Sequence, residues 1–187
     1  MQSNYPNMIE NPSTLKHNAN FTFLKPSEFN FIQSITDNTS YERTHQVQIR
    51  GQIDVRPSLE PAESDIITQL EYSVSDVSLQ PPSLEANATS LIINCHMYSG
   101  PSRSRPYMSI YATIWIPPGI TLNTLGISAS SLSIAFHPDL NYTVNDRTHI
   151  SSTSGSITSP VSSLHSPKNP SPTQSRETII DTGSGSI

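Results

Sequence analysis

Apolar and polar residues alternate one by one over much of the middle of this chain, and a period of two marks half-buried β-strands. In "VQIRGQIDV", Val47, Ile49, Ile53 and Val55 fall on one side and Gln48, Arg50, Gln52 and Asp54 on the other. Gly51 lies on the apolar side, where a bulge or a close backbone approach is expected. "IITQLEYSVSDVSL" carries Ile66, Leu70, Tyr72 and Val74 in one phase, then Val77 and Leu79 in the other, so the strand should bulge or break near Asp76. After the loop "QPPSLEANA", the alternation resumes with Leu91, Ile93, Cys95 and Met97. The most regular segment is "YMSIYATIWI": Met108, Ile110, Ala112, Ile114 and Ile116 form an apolar face, and Tyr107, Ser109, Tyr111, Thr113 and Trp115 form the other. "PPG" at Pro117 to Gly119 closes it with turn chemistry.

Beyond that turn the pattern becomes a series of short, hydroxyl-rich strands: "TLNTLGIS", "SLSIAF", "NYTV" and "THISSTSGSIT". Such strands bury few large side chains each and need neighbours stacked above and below, which is the logic of a layered sheet or a solenoid. An internal repeat supports this. Thr148 to Ile157 and Thr178 to Ile187 agree at six of ten positions, including Ile150 with Ile180 and "SGSI" with "SGSI". Two rungs of one repeat explain the match. Between them, "PVSSLHSPKNPSPTQSR" has no apolar periodicity and reads as an extended insertion.

Composition adds the frame. A chain of 187 residues has room for one core of ordinary size. Charged residues are only 13%, whereas Ser and Thr together occupy 49 positions, so the surface is hydroxyl-rich, as in extracellular or stalk-like proteins. Sixteen prolines and the lack of Leu/Ala/Glu/Lys-rich stretches weigh against helix. The expected fold is therefore all-β, with layered β-sheets or β-solenoid-like repeats and a disordered N-terminal segment. The expected organisation is a flexible lead-in over 1–44 with at most a short strand at "NFTFL", a β-rich domain over 45–159, a Ser/Pro-rich mobile insertion over 160–176, and a further rung begun at 177–187.

The strand, turn and "SGSI" that follow "IPPGITLNTLGISASSLSIAFHPDLNYTV" resemble the family called "putative adhesin", a β-solenoid domain of bacterial and fungal surface proteins. The likeness covers roughly 107–187 and is carried by "STSGSIT" and "DTGSGSI". It implies a structural or adhesive surface role and no catalytic residues. It also implies more rungs ending in a capping strand and, in fungal members, a membrane span before the ectodomain. This chain has neither, so it reads as a fragment of a longer protein.

The charge and the motifs narrow the function further. The net charge of −5 comes from scattered acids, leaving no basic footprint for nucleic acid; "RSR" at Arg103 and Arg105 reads as a solvated turn. The first thirty residues contain no basic segment followed by the apolar run of a secretory signal, and no stretch reaches the ~18 apolar residues of a membrane span. Membrane attachment is therefore expected only through a segment absent from this chain, which would be cytoplasmic if complete and at the cell surface or outside the cell otherwise. The lone Cys95 excludes an internal disulfide and reads as a buried small hydrophobe.

The six histidines show no metal-ligand spacing, and no P-loop, nucleophile elbow or dinucleotide fingerprint occurs, so no cofactor, metal or catalytic residue is expected. "DTGS" at Asp181 is shared with aspartic proteases, which need a second such Asp. His137, Asp139 and Asp146 in "HPDLNYTVND" read as turn residues, although paired carboxylates on a β-helix can serve a polysaccharide lyase or hydrolase. The candidate sites are thus for binding and modification. Tyr107, Tyr111 and Trp115 form an aromatic ladder on which sugar rings could stack, or else cross-strand packing partners. Asn20, Asn38, Asn87 and Asn141 are N-glycosylation sequons, a number so Ser/Thr-rich a chain reaches by composition alone. Ser159, Ser166 and Ser171 each precede proline, as in phosphorylated or O-glycosylated segments. The expected role is a non-enzymatic, structural or adhesive surface protein contacting cell-wall glycan or a surface protein. The alternative is a carbohydrate-binding or carbohydrate-active β-helix module.

Overall fold

The computed structural model describes residues 15–36, 47–58, 64–75, 79–96, 106–159 and 177–186. Among them are twelve strands and no helix. In chain order these are β1 (Leu15–Phe23), β2 (Glu28–Thr36), β3 (Gln48–Pro57), β4 (Ile66–Val74), β5 (Ser83–Ala86) and β6 (Ser90–His96). They continue as β7 (Tyr107–Ile116), β8 (Ile120–Ala129), β9 (Ser133–Phe136), β10 (Tyr142–Ser152), β11 (Ile157–Thr158) and β12 (Glu177–Thr182).

These strands form two six-stranded sheets, the first ordered β1-β4-β7-β3-β9-β11 and the second β12-β10-β8-β2-β6-β5. Most pairings are parallel: β3 with β7 and β9, β9 with β11, β2 with β6 and β8, and β10 with β8 and β12. Antiparallel pairs close one end of each sheet, β1 on β4 on β7 in the first and β5 on β6 in the second. Four times the chain runs from the second sheet to the first, as β2 to β3, β6 to β7, β8 to β9 and β10 to β11. Both sheets stack these pairs in one order, with β2/β3 between β6/β7 and β8/β9. The first pair in the chain is therefore an inner layer, and its neighbours come from far downstream.

The inner faces of both sheets enclose one apolar core, to which β2, β6 and β8 contribute Phe29, Phe31, Leu91, Ile93, Leu125 and Ile127. Opposite them, β3, β7 and β9 contribute Ile53, Val55, Ile110, Ile114 and Ile134. Each such side chain is worth about 1.5–3 kcal/mol when taken fully out of water. The alternation read from "YMSIYATIWI" is the one observed, since Met108, Ile110, Ala112, Ile114 and Ile116 are all buried. Ile66, Leu70 and Val74 are likewise buried on β4, with Tyr72 partly so, and the strand ends at Val74, just before the phase slip. Val77, Met97, Arg103, Arg105 and the Ser/Pro-rich insertion lie outside the described residues.

Gly51 meets the expectation of a close approach. It has φ 141°, and a Cβ there would collide with the Ile110 carbonyl of β7. Cys95 is fully buried; its thiol receives a 3.7 Å contact from Gln33 Nε2, and burial, only partly offset by that contact, pushes its pKa from 9.0 up to about 11.

The expected flexible lead-in over 1–44 needs correction. Residues 15–36 are β1 and β2, and β2 lies between β6 and β8 in the second sheet with Phe29 and Phe31 wholly buried. Its alternation is hidden because Gln33 occupies an inward position that sequence reading assigns to an apolar residue. Gln33 is buried because its Oε1 accepts from the backbone N–H groups of Ser130 (2.9 Å) and Ser131 (3.2 Å), so its polarity is satisfied at the turn after β8.

The internal repeat coincides with strand register. β10 and β12 pair Thr148 with Thr178 and Ile150 with Ile180, the same correspondence that aligns the two sequences. Ile157 N–H donates to Ser186 carbonyl oxygen at 2.8 Å, so the match runs through "SGS". One pair earlier, the ladder sets Ile127 against Ile150 and Ile134 against Ile157. This makes "LGISASSLSI" a third copy, with Leu132 in place of the glycine. At the turns the backbones nearly touch: a Cβ on Gly155 would strike the Leu132 carbonyl, and one on Gly185 would strike the Gly155 carbonyl. Ser152, also buried, ties this corner by donating to Leu132 carbonyl oxygen at 2.8 Å and accepting from Gly155 N–H at 2.9 Å.

Candidate functional site

The candidate aromatics lie on the outer face of the first sheet. Because Met108 to Ile116 point their even-numbered side chains into the core, the odd ones, Tyr107 to Trp115, face outward. Parallel pairing sets Gln48, Arg50, Gln52, Asp54 and Arg56 of β3 opposite Tyr107, Ser109, Tyr111, Thr113 and Trp115. Antiparallel pairing on the other side sets Ser73, Glu71, Gln69 and Ile67 of β4 opposite Ser109, Tyr111, Thr113 and Trp115. Asn18 and Asn20 of β1 extend two of these rows. Tyr111 is thus flanked by Gln52 and Glu71, at the usual strand separation of about 4.8 Å on either side.

Two ion pairs and one cation–π contact hold the charged side chains described on this face. Arg56 Nη2 lies 3.0 Å from Asp54 Oδ2, and Gln52 Nε2 donates to the other oxygen of the same carboxylate. Lys16 Nζ lies 3.7 Å from Glu71 Oε1. Arg50 donates from Nε to Ser109 Oγ at 3.2 Å, and its guanidinium sits 4.1 Å from the ring centroid of Tyr107, a cation–π contact. One face of the Tyr107 ring is therefore occupied. Tyr111 is 53% exposed, whereas Tyr107 and Trp115 are half-buried. Four residues apart on one strand, the three rings stand about 13 Å from each other in turn, too far to pack together.

Sequence reading found the aromatics but not their partners. Gln52, Asp54, Arg56, Gln69 and Glu71 carry no motif. The signal was the polar side of "VQIRGQIDV", which became part of the site only once β3 paired beside β7.

The sequons are dispersed. Asn20 is exposed on the outer side of edge strand β1. Asn87 is exposed in the turn before β6, where its Oδ1 accepts from the N–H groups of Thr89 and Ser90, each at 2.9 Å, an Asx turn. Asn141 is exposed just before β10, and Asn38 lies outside the described residues. Asp181 sits on β12 beside Ser151, and His137 Nδ1 lies 3.7 Å from Asp139 Oδ2, a contact within one turn. Among the described residues no group of three or more His, Cys, Asp or Glu side chains is placed to hold a metal ion, and no helix is long and apolar enough to cross a membrane.

Fold and site together define an all-β protein of two layered sheets with an aromatic and amide-rich outer face. No family model matches the chain, and no curated protein matches it. Two solved structures resemble it. One is described as a "putative cell adhesion protein" from Clostridium sporogenes, 10% identical over 94% of this chain and 98% of that one, with a TM-score of 0.39. The other is described as a "putative adhesin" from Bacteroides fragilis, 15% identical over 91% of this chain and 78% of that one, with a TM-score of 0.29.

Proposed function

We propose that the chain is a non-enzymatic β-repeat module of solenoid type, with a structural or adhesive role at the cell surface or outside the cell. The observation that supports this reading is the in-register stacking of "LGISASSLSI", "THISSTSGSI" and "TIIDTGSGSI", with Gly155 and Gly185 packed at their turns against the carbonyls of Leu132 and Gly155. A stack of this kind places each outward side chain beside its counterpart in the next layer, giving wide, regular faces of the sort that adhesive modules present. Exposed Asn20, Asn87 and Asn141 would be accessible to glycosylation in that compartment.

The test is adhesion itself. Beads coated with the chain should be retained on cells of the source organism, and retention should fall at least fivefold when Gln52, Arg56 and Glu71 are replaced together by Ser. Retention no greater than that of beads carrying an unrelated β-protein would overturn the adhesive reading. The glycan-binding reading is favoured by one specific feature, the exposed Tyr111 ring between two hydrogen-bonding side chains.

A further inference from the structure

The adhesive reading leaves the partner unnamed, and the outer face of the first sheet carries enough chemistry to name its class. Three candidate partners make different demands. An anionic polymer or a membrane surface needs unpaired positive charge, but here Arg56 is paired with Asp54, Lys16 with Glu71, and Arg50 is held over Tyr107 and on Ser109. A protein partner needs an apolar patch at the centre of its interface. The other large hydrophobic side chains exposed among the described residues lie elsewhere: Ile32 and Ile179 on the second sheet, and Leu24 after β1. An uncharged polyhydroxylated chain needs a bare aromatic ring to receive a sugar face, with amide and carboxylate groups beside it for the hydroxyls. Tyr111 supplies the ring, and Gln52 and Glu71 flank it.

We propose that this face binds an uncharged polysaccharide, laid along β7 with one sugar ring on Tyr111 and another toward Trp115. Gln52 is held by its hydrogen bond to Asp54, and Asp54 by Arg56, so these acceptors and donors are in place before the ligand arrives. Thr113, Gln69 and Asp54 lie in the row between the two rings and are positioned for the intervening sugar. Tyr107 takes no part, because it is half-buried and Arg50 occupies one face of its ring. This proposal rests on the adhesive reading and narrows it.

The experiment is co-sedimentation of the full chain with insoluble β-1,3-glucan, cellulose and chitin, with polygalacturonate as the anionic comparison. The expected result is retention on at least one neutral polymer, little changed when salt is raised to about 0.5 M. Tyr111→Ala should weaken that retention about tenfold or more, the usual consequence of removing an aromatic anchor. Tyr111 is exposed, so this variant should fold; Trp115→Ala is scored alongside only if its unfolding midpoint matches the parent. Ile179→Ser, on the outer face of the second sheet, should bind as the parent does. No retention on any neutral polymer, retention unchanged by Tyr111→Ala, or salt-sensitive binding to polygalacturonate alone would each overturn the proposal. Beads that still adhere to cells while the polysaccharides fail would locate the failure in the ligand class and leave the adhesive role standing. Loss of both would remove both readings.

Discussion

Replacing Phe31 by Ala is the sharpest test of how the N-terminal part of the chain is used. Phe31 is wholly buried in β2, and its register neighbours are Leu91 on β6 and Ile127 on β8, both also wholly buried. Parallel strands fix it from both sides, so the surrounding structure has little freedom to collapse into the space left by the ring. Truncating a buried Phe in such a setting costs about 3–5 kcal/mol, transfer and cavity terms together. That is a large share of the roughly 5–15 kcal/mol by which a domain is stable, and for one of this size it lowers Tm by roughly 6–20 °C. The assay is urea unfolding followed by fluorescence of Trp115, the single tryptophan of the chain. Trp115 lies on β7 of the other sheet, so a shift in its midpoint reports that β2 unfolds with the whole core. The control is Leu24→Ala at a position 75% exposed, which should stay within about 0.5 kcal/mol of the parent. A loss below about 1 kcal/mol for Phe31→Ala would refute the placement of β2 as an inner strand.

Two further predictions concern the turn of the repeat and the buried thiol. Gly155→Ala should destabilise by about 1–3 kcal/mol, because the new methyl group must push the Leu132 carbonyl off the stack, and chemical denaturation of the variant would show it; a neutral result would remove the steric account of "SGSI". Cys95 should resist alkylation by a neutral thiol reagent in the native state and react once urea unfolds the chain. Its titration also carries a sign: below about pH 9 folded and unfolded chains both hold the thiol proton, and between about 9 and 11 only the folded one does. Stability should therefore fall with rising pH across that window by ~1.4 kcal/mol per unit and flatten above it. The measurement is the difference in unfolding free energy between the parent and Cys95→Ala as a function of pH; a difference that stays constant from 8 to about 11 would contradict it.

Glycosylation consensus and aromatic pattern were both visible in the residues, but only the structure separates their surroundings. Tyr107, Tyr111 and Trp115 look equivalent as outward positions of one strand. They differ because β3 lies parallel to β7 in the register that brings Arg50 over Tyr107 and Gln52 beside Tyr111. No local rule contains that register, since it joins segments about sixty residues apart and depends on where Gly51 lets the two backbones meet.

The sequence by itself determined most of the strands from β3 onward and which side of each is buried, because alternation on a pleated backbone leaves an apolar side chain little choice once one face meets a core. It also determined the stacking register of β10 and β12, since identical turns packed glycine on carbonyl align in one way. The order of the layers was decided by tertiary structure alone. β2/β3 enters between β6/β7 and β8/β9, and parallel pairing with such distant partners leaves no local trace in "EFNFIQSIT". Gln33 shows why that strand was hard to read: its polar side chain is buried because the turn at Ser130 and Ser131, nearly a hundred residues away, supplies the two N–H groups it accepts from.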